Sequence, residues 1–158
     1  MSKSKSQSKS KSQSKSKSGG KGKHGSKTLT LALTWLDAPA EHDYPSAASF
    51  LNLTARAGQI DVITALLSQA PTVHQAAKDI LRAAGLPLLP VTDPEVGKDL
   101  ARVNDGVALS PILLLRGDAE TGRALVVADG YHRICAAYHL GENAAIPCRI
   151  VDLPPVAV

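Results

Sequence analysis

The 158-residue sequence is short of aromatics, cysteines and long apolar runs. Its aromatic residues are Trp35, Tyr44, Phe50, Tyr131 and Tyr138, so any core must be built mainly from Ala, Leu, Val and Ile. The two cysteines, Cys135 and Cys148, stand at no framework spacing. That excludes a disulfide-stapled secreted scaffold, and a reducing, cytoplasmic setting is expected. No apolar stretch approaches the ~20 residues needed to span a bilayer, so no membrane partner is expected. The N-terminus is positively charged but has no apolar stretch behind it, which is not the pattern of a secretory signal. Internal repeats, a Walker loop, a Gly-x-Ser-x-Gly elbow and a dinucleotide fingerprint are also missing.

Acidic charge is missing from one end only. Residues 1–27 hold nine Lys and no Asp, Glu or Arg, whereas residues 28–158 hold nine basic and fourteen acidic residues. The net +4 therefore combines a +9 tail with a −5 domain, which argues against a uniformly basic DNA-binding domain. Residues 2–18 alternate Ser with Lys or Gln, and residues 19–26 continue as a Gly-rich linker. With Met1 as its one apolar side chain, the segment 1–27 is expected to be disordered. Two roles remain open for it. It is either a tether making weak, non-specific, salt-sensitive contact with nucleic acid, or a solubilising extension. The absence of aromatics and Arg to stack on bases favours the second.

What remains, residues 28–158, reads as one α+β domain. Thr28 to Leu36 alternates with a period of two, as a half-buried strand does. Helical spacing follows from Pro45 up to Gly58, and again through Ile60, Ile63, Leu66 and Leu67. Thr72 is read as the cap of a helix carrying Val73, Ala76, Ala77, Ile80 and Leu81 and closed by Gly85. Asp93-Pro94 is a cap and first-turn proline for a helix reaching about Asn104. Strands are expected over 110–115, 124–128 and 146–153, with a helix from Tyr131 to Leu140 ended by Gly141.

The junction Asp129-Gly130-Tyr131-His132-Arg133 carries the most chemistry. A strand enters a glycine turn and emerges as a helix. The first N–H groups of a helix lack internal partners, and its dipole adds partial positive charge there. Such a terminus accepts phosphate, and an Arg on the first turn adds a bidentate partner. Gly130 permits a positive φ and close approach of a ligand. Asp129 is placed to cap the helix or orient His132, and these two are the candidate catalytic residues. The plainer reading is a capped helix whose His132 and Arg133 face solvent. Lys78 and Arg82, four apart on one helix face, are either additional phosphate-binding charges or ordinary exposed residues.

Glu41, His42 and Asp43 are candidate acids or bases, or simply turn formers before Pro45. His132, Cys135 and His139 share a helical stripe. However, the two histidines lie roughly 10 Å apart along the axis, too far to share a metal, so no metal site is expected.

From Leu109 to Leu153 the chain resembles the ParB/sulfiredoxin-like superfamily. The resemblance rests on Pro111-Ile112 at a strand start, the Asp129–Arg133 junction, an Ala136-Ala137 helix closed by Leu140-Gly141, and Ile146-Pro147 leading into the last strand. It implies a small mixed sheet, with a helical segment inserted before a hairpin–helix–strand core. It also implies a nucleotide or phosphorylated small molecule at Gly130, Tyr131, His132 and Arg133, such as ATP or CTP with Mg²⁺, and a phosphotransferase or NTPase activity. The superfamily's ParB-like members suggest an alternative, a DNA-associated accessory protein, and a non-catalytic interaction module is a third reading. Sulfiredoxins carry Gly-Cys-His-Arg here, so Tyr131 occupies the place of their catalytic cysteine. A phenol of pKa ~10 does not supply that thiolate, and sulfiredoxin activity is not expected. Partition proteins usually carry Gly-Glu-Arg-Arg, and their acidic residue is absent as well.

Overall fold

The aliphatic residues sort onto the two faces of one sheet. The computed structural model describes residues 32–156. Its elements, in chain order, are α1 (Asp43–Leu51), α2 (Ala57–Gln69), β1 (Val73–Ala76), α3 (Ala77–Ala84), α4 (Pro94–Asn104), β2 (Ile112–Leu115), β3 (Val126–Asp129), α5 (Tyr131–Leu140) and β4 (Ala145–Val151). The four strands form one mixed sheet in the order β1-β4-β2-β3, so the architecture is α+β. β2 pairs antiparallel with β3 and parallel with β4, while β1 pairs antiparallel with β4.

Successive strand residues point to opposite faces, and the core divides accordingly. Ile112, Leu114, Val127, Ile146 and Cys148 face α3, α4 and α5. Leu113, Leu115 and Ala128 face α1 and α2, where Ala47, Leu51, Ile60, Ile63 and Leu67 are buried. Arg149 also points to this second face. Its Nη1 donates to the carbonyls of Ser68 and Leu67 at 2.7 and 3.3 Å, and to the Tyr44 hydroxyl at 3.2 Å. A cation at the C-terminus of α2 complements the helix dipole and ties that helix to β4.

Several local signals act as read. Asp93 Oδ1 accepts from the N–H groups of Glu95 and Val96, each at 3.0 Å, and Pro94 opens α4. Gly85 ends α3 with φ of 64°. Other elements differ. The expected strand over Thr28–Leu36 is reduced, within the described residues, to one parallel bridge between Trp35 and Leu109, and residues 28–31 lie outside those residues. The basic tail, residues 1–27, lies outside them too.

The helix read from Thr72 begins instead at Ala77, because Val73–Ala76 pairs with Ala145–Cys148 as β1. A partner strand decides that segment, and its own residues do not. The first N–H groups of α3 then need no Thr72 cap, since Ala77 and Lys78 donate to the carbonyls of Ala144 and Glu142 at 3.0 Å each. α1 starts two residues before Pro45 and ends at Leu51, well short of Gly58. No helix among the described residues is long and apolar enough to cross a membrane.

Candidate functional site

A bulge positions the site. Leu113 pairs with Asp129 but Leu114 pairs with Val127, so Ala128 is an extra residue in β3. Strict alternation would send Asp129 to the α5 face. The bulge instead leaves both Ala128 and Asp129 on the face of Leu113, toward α1. Directly after Asp129 the chain turns at Gly130, with φ of 110°, and enters α5.

Arg133, on the first turn of α5, does not point into solvent. Its side chain is 15% exposed, and Nη2 donates to Asp129 Oδ2 at 2.8 Å. The same nitrogen lies 3.7 Å from Asp43 Oδ2 and 3.4 Å from the Pro111 carbonyl. Arg133 thus joins α1, the start of β2, the end of β3 and α5 at one end of the sheet. Asp43 is 1% exposed. Its Oδ2 accepts a hydrogen bond from the Ser110 hydroxyl, which in turn accepts from the Ala40 N–H at 3.0 Å. His42 Nε2 lies 3.3 Å from Asp43 Oδ1. Arg133 Nε is buried without a partner.

Burial pushes the Asp129 carboxyl above the ordinary carboxylate range, although Arg133 pulls it down. Asp99, which faces the same region from α4, is raised for the same reason, burial, against the attraction of Arg133, Arg102 and His132. Burial also raises both thiols, Cys148 to about 11, so neither is a thiolate at neutral pH.

Beside this network lies a cavity of about 460 Å³. Its floor is the edge strand and turn, residues 125–132. One wall is Ser46, Phe50 and Thr54, along and just past α1, and the other is Ala84 and Leu86 at the end of α3. The lining is mainly apolar, with Ser46, Thr54, Asp129 and His132 among its polar residues. Gly130, as N-cap, offers no side chain to the first N–H groups of α5, and Gly130, Tyr131 and His132 are among the residues that line the cavity.

The structure therefore brings Asp129, Gly130, Tyr131 and His132 to the cavity and sets Arg133 behind them. Gly130 serves close packing, because a Cβ there would lie 2.3 Å from Ile112 Cδ1 and 3.1 Å from Arg133 Nη2. Asp129 neither caps α5 nor holds His132; it holds Arg133. The Tyr131 hydroxyl donates to the Pro87 carbonyl, and His139 Nε2 donates to the Leu89 carbonyl at 2.7 Å. These two bonds fasten the segment after α3 along α5. Lys78 and Arg82 do not line the cavity, and Arg82 pairs with Asp79 at 3.0 Å on the surface.

Asp43 and Ser110 are the participants that sequence reasoning missed as a unit. The acid–base character of Asp43 was readable, but its partners lie far along the chain. As for Mg²⁺, Asp43 and Asp129 are already bridged by a guanidinium, and among the described residues no group of three or more potential ligands converges on a metal position. No protein-family model, curated protein or solved structure matches the chain.

Proposed function

We propose that the protein binds a nucleotide or another phosphate-bearing small molecule in the cavity at the start of α5. The observation that carries this reading is that the N-terminus of α5, without a side-chain cap, is among the residues lining a cavity of about 460 Å³. Helix N–H groups and the dipole favour an anion there, and the volume lies within the range of small-molecule sites. The N–H groups of Tyr131 and His132 receive the phosphate, and the His132 side chain contacts it. Phe50, Leu86, Leu125 and Val126 form the apolar wall that accepts a base or other flat group. The resemblance of residues 109–153 to the ParB/sulfiredoxin-like superfamily supports the same ligand class. In a phosphoryl-transfer reaction His132 would be the proton-handling group, with Asp129 holding Arg133 beside it.

The test is thermal unfolding of the full chain with ATP, CTP and GTP, each with Mg²⁺, for wild type and His132→Ala. A ligand of the folded state raises the melting temperature, and the reading expects at least one nucleotide to do so, less in the variant. No shift with any of the three rejects it. A second reading, an interaction module, draws on one observation: the cavity follows the edge strand from Leu125 to Asp129, where an extended peptide could add as a fifth strand.

A further inference from the structure

A cation on the first turn of a helix opposes the dipole and needs an anion nearby. Arg133 has two, and they are not equivalent. Asp129 makes a direct hydrogen bond at 2.8 Å and belongs to the adjoining strand end. Asp43 stands at 3.7 Å, beyond hydrogen-bond range, and comes from a different helix. It is held from the other side by Ser110 and, at 3.3 Å, by His42. Asp43 is thus the more distant of the two counter-charges from Arg133, although it is the more buried of the two and lies against Asp129. The helix that carries it, α1, also supplies Ser46 and Phe50 to the cavity wall.

We propose that Asp43 is the built-in counter-anion of Arg133, and that an anionic ligand engages Arg133 by taking its place. Arg133 then turns from beneath Gly130 toward the cavity, keeping Asp129 and exchanging Asp43 for a phosphate oxygen. Because α1 both holds Asp43 and walls the cavity, ligand occupancy and docking of α1 on the sheet end are coupled. Asp43 is a positioning residue in this scheme, since it acts on the ligand only through Arg133. The inference rests on the ligand class proposed above, but its central claim concerns a charge within the chain and is tested without a nucleotide.

The experiment follows thermal unfolding of the full chain against inorganic phosphate, with chloride at matched ionic strength as control. Wild type, Asp43→Asn and Ser110→Ala are compared, all with the same lysine tail. Asp43→Asn keeps the shape and removes the charge, so phosphate should stabilise it at concentrations at least about fivefold lower than wild type needs, the lower end of ordinary coupling between sites. Ser110→Ala loosens the same spot without vacating a charge and should respond as wild type does. Equal phosphate responses in wild type and Asp43→Asn overturn the proposal, as does a heightened response in Ser110→Ala. Should Asp43→Asn unfold in chloride, recovery of the fold in phosphate is the expected result, and failure in both salts overturns it.

The nucleotide experiment separates the two claims. A wild type indifferent to every nucleotide beside a phosphate-responsive Asp43→Asn removes the ligand class and keeps the counter-anion. Nucleotide binding without that response removes the counter-anion alone.

Discussion

Asp129 and Arg133 face each other across a single glycine turn, with 2.8 Å between Oδ2 and Nη2. One is the last residue of a strand and the other lies on the first turn of the helix that follows. The anion that relieves Arg133 at this helix start is therefore part of the chain, and Asp43 adds a second at 3.7 Å. Removing the cation strands two largely buried carboxylates. Arg133→Ala should cost about 3 kcal/mol, measured by urea unfolding. A loss below about 1 kcal/mol would show that the pair is solvated and the network inconsequential.

Gly130 combines a φ of 110° with a Cβ position 2.3 Å from Ile112 Cδ1. Gly130→Ala meets both backbone strain and overpacking, and a loss of about 2–4 kcal/mol is expected in the same measurement. A near-neutral result would mean that Ile112 and the turn relax together.

Asp99 gives a pH signature. Burial raises its folded pKa, so between the ordinary value of about 3.9 and that higher value the folded chain binds more protons than the unfolded one. Its contribution to stability is greatest below the unfolded pKa and is lost as pH rises through the folded pKa. Asp129 has the same sign, also from burial. Glu95 and Asp118 have lowered pKa values and the opposite sign, from the Lys98 ammonium and the Glu120 N–H respectively. Asp99→Asn should therefore gain on wild type as pH is raised from about 4. Parallel stability curves for the two proteins from pH 3 to pH 7 would refute this.

Arg149 is expected to hold α2 to the sheet through its bonds to Ser68, Leu67 and Tyr44. Arg149→Met keeps much of the stem and loses the donors. A loss of about 1–3 kcal/mol is expected, and hydrogen exchange should speed up in α2 before it does in α5.

The nine lysines of residues 1–27 predict a separate behaviour. The full chain should bind duplex DNA weakly at low salt, with affinity falling steeply as salt rises, and a chain lacking those residues should not bind. Unchanged affinity after truncation would assign the contact to the acidic domain.

Signals that act over a few residues were legible in the sequence. Asp93-Pro94, Gly85 and the Gly130–Leu140 helix are local devices, and each stands where its residues indicate. The segment Val73–Ala76 was not legible, because its conformation is decided by β4, some seventy residues later. The turn at Gly130 was readable as a site, but the direction of Arg133 was not. That depends on Asp43, whose partner Ser110 is 67 positions away, and no spacing rule joins them. The bulge at Ala128 leaves no mark in a run of small and branched apolar residues.

That bulge makes the site depend on a count as well as on residue identities. Three residues of β2, Leu113–Leu115, face four of β3, Val126–Asp129, and the extra one puts the Asp129 carboxylate on the same side as Asp43. One residue inserted between Leu113 and Leu114 would give Ala128 a partner, restore the alternation and turn that carboxylate, together with Leu113, away from α1. Such a chain would keep Asp43, Ser110, Asp129, Gly130, His132 and Arg133 and still lose the arrangement they form. Comparisons with other chains should therefore match strand parity as well as side chains.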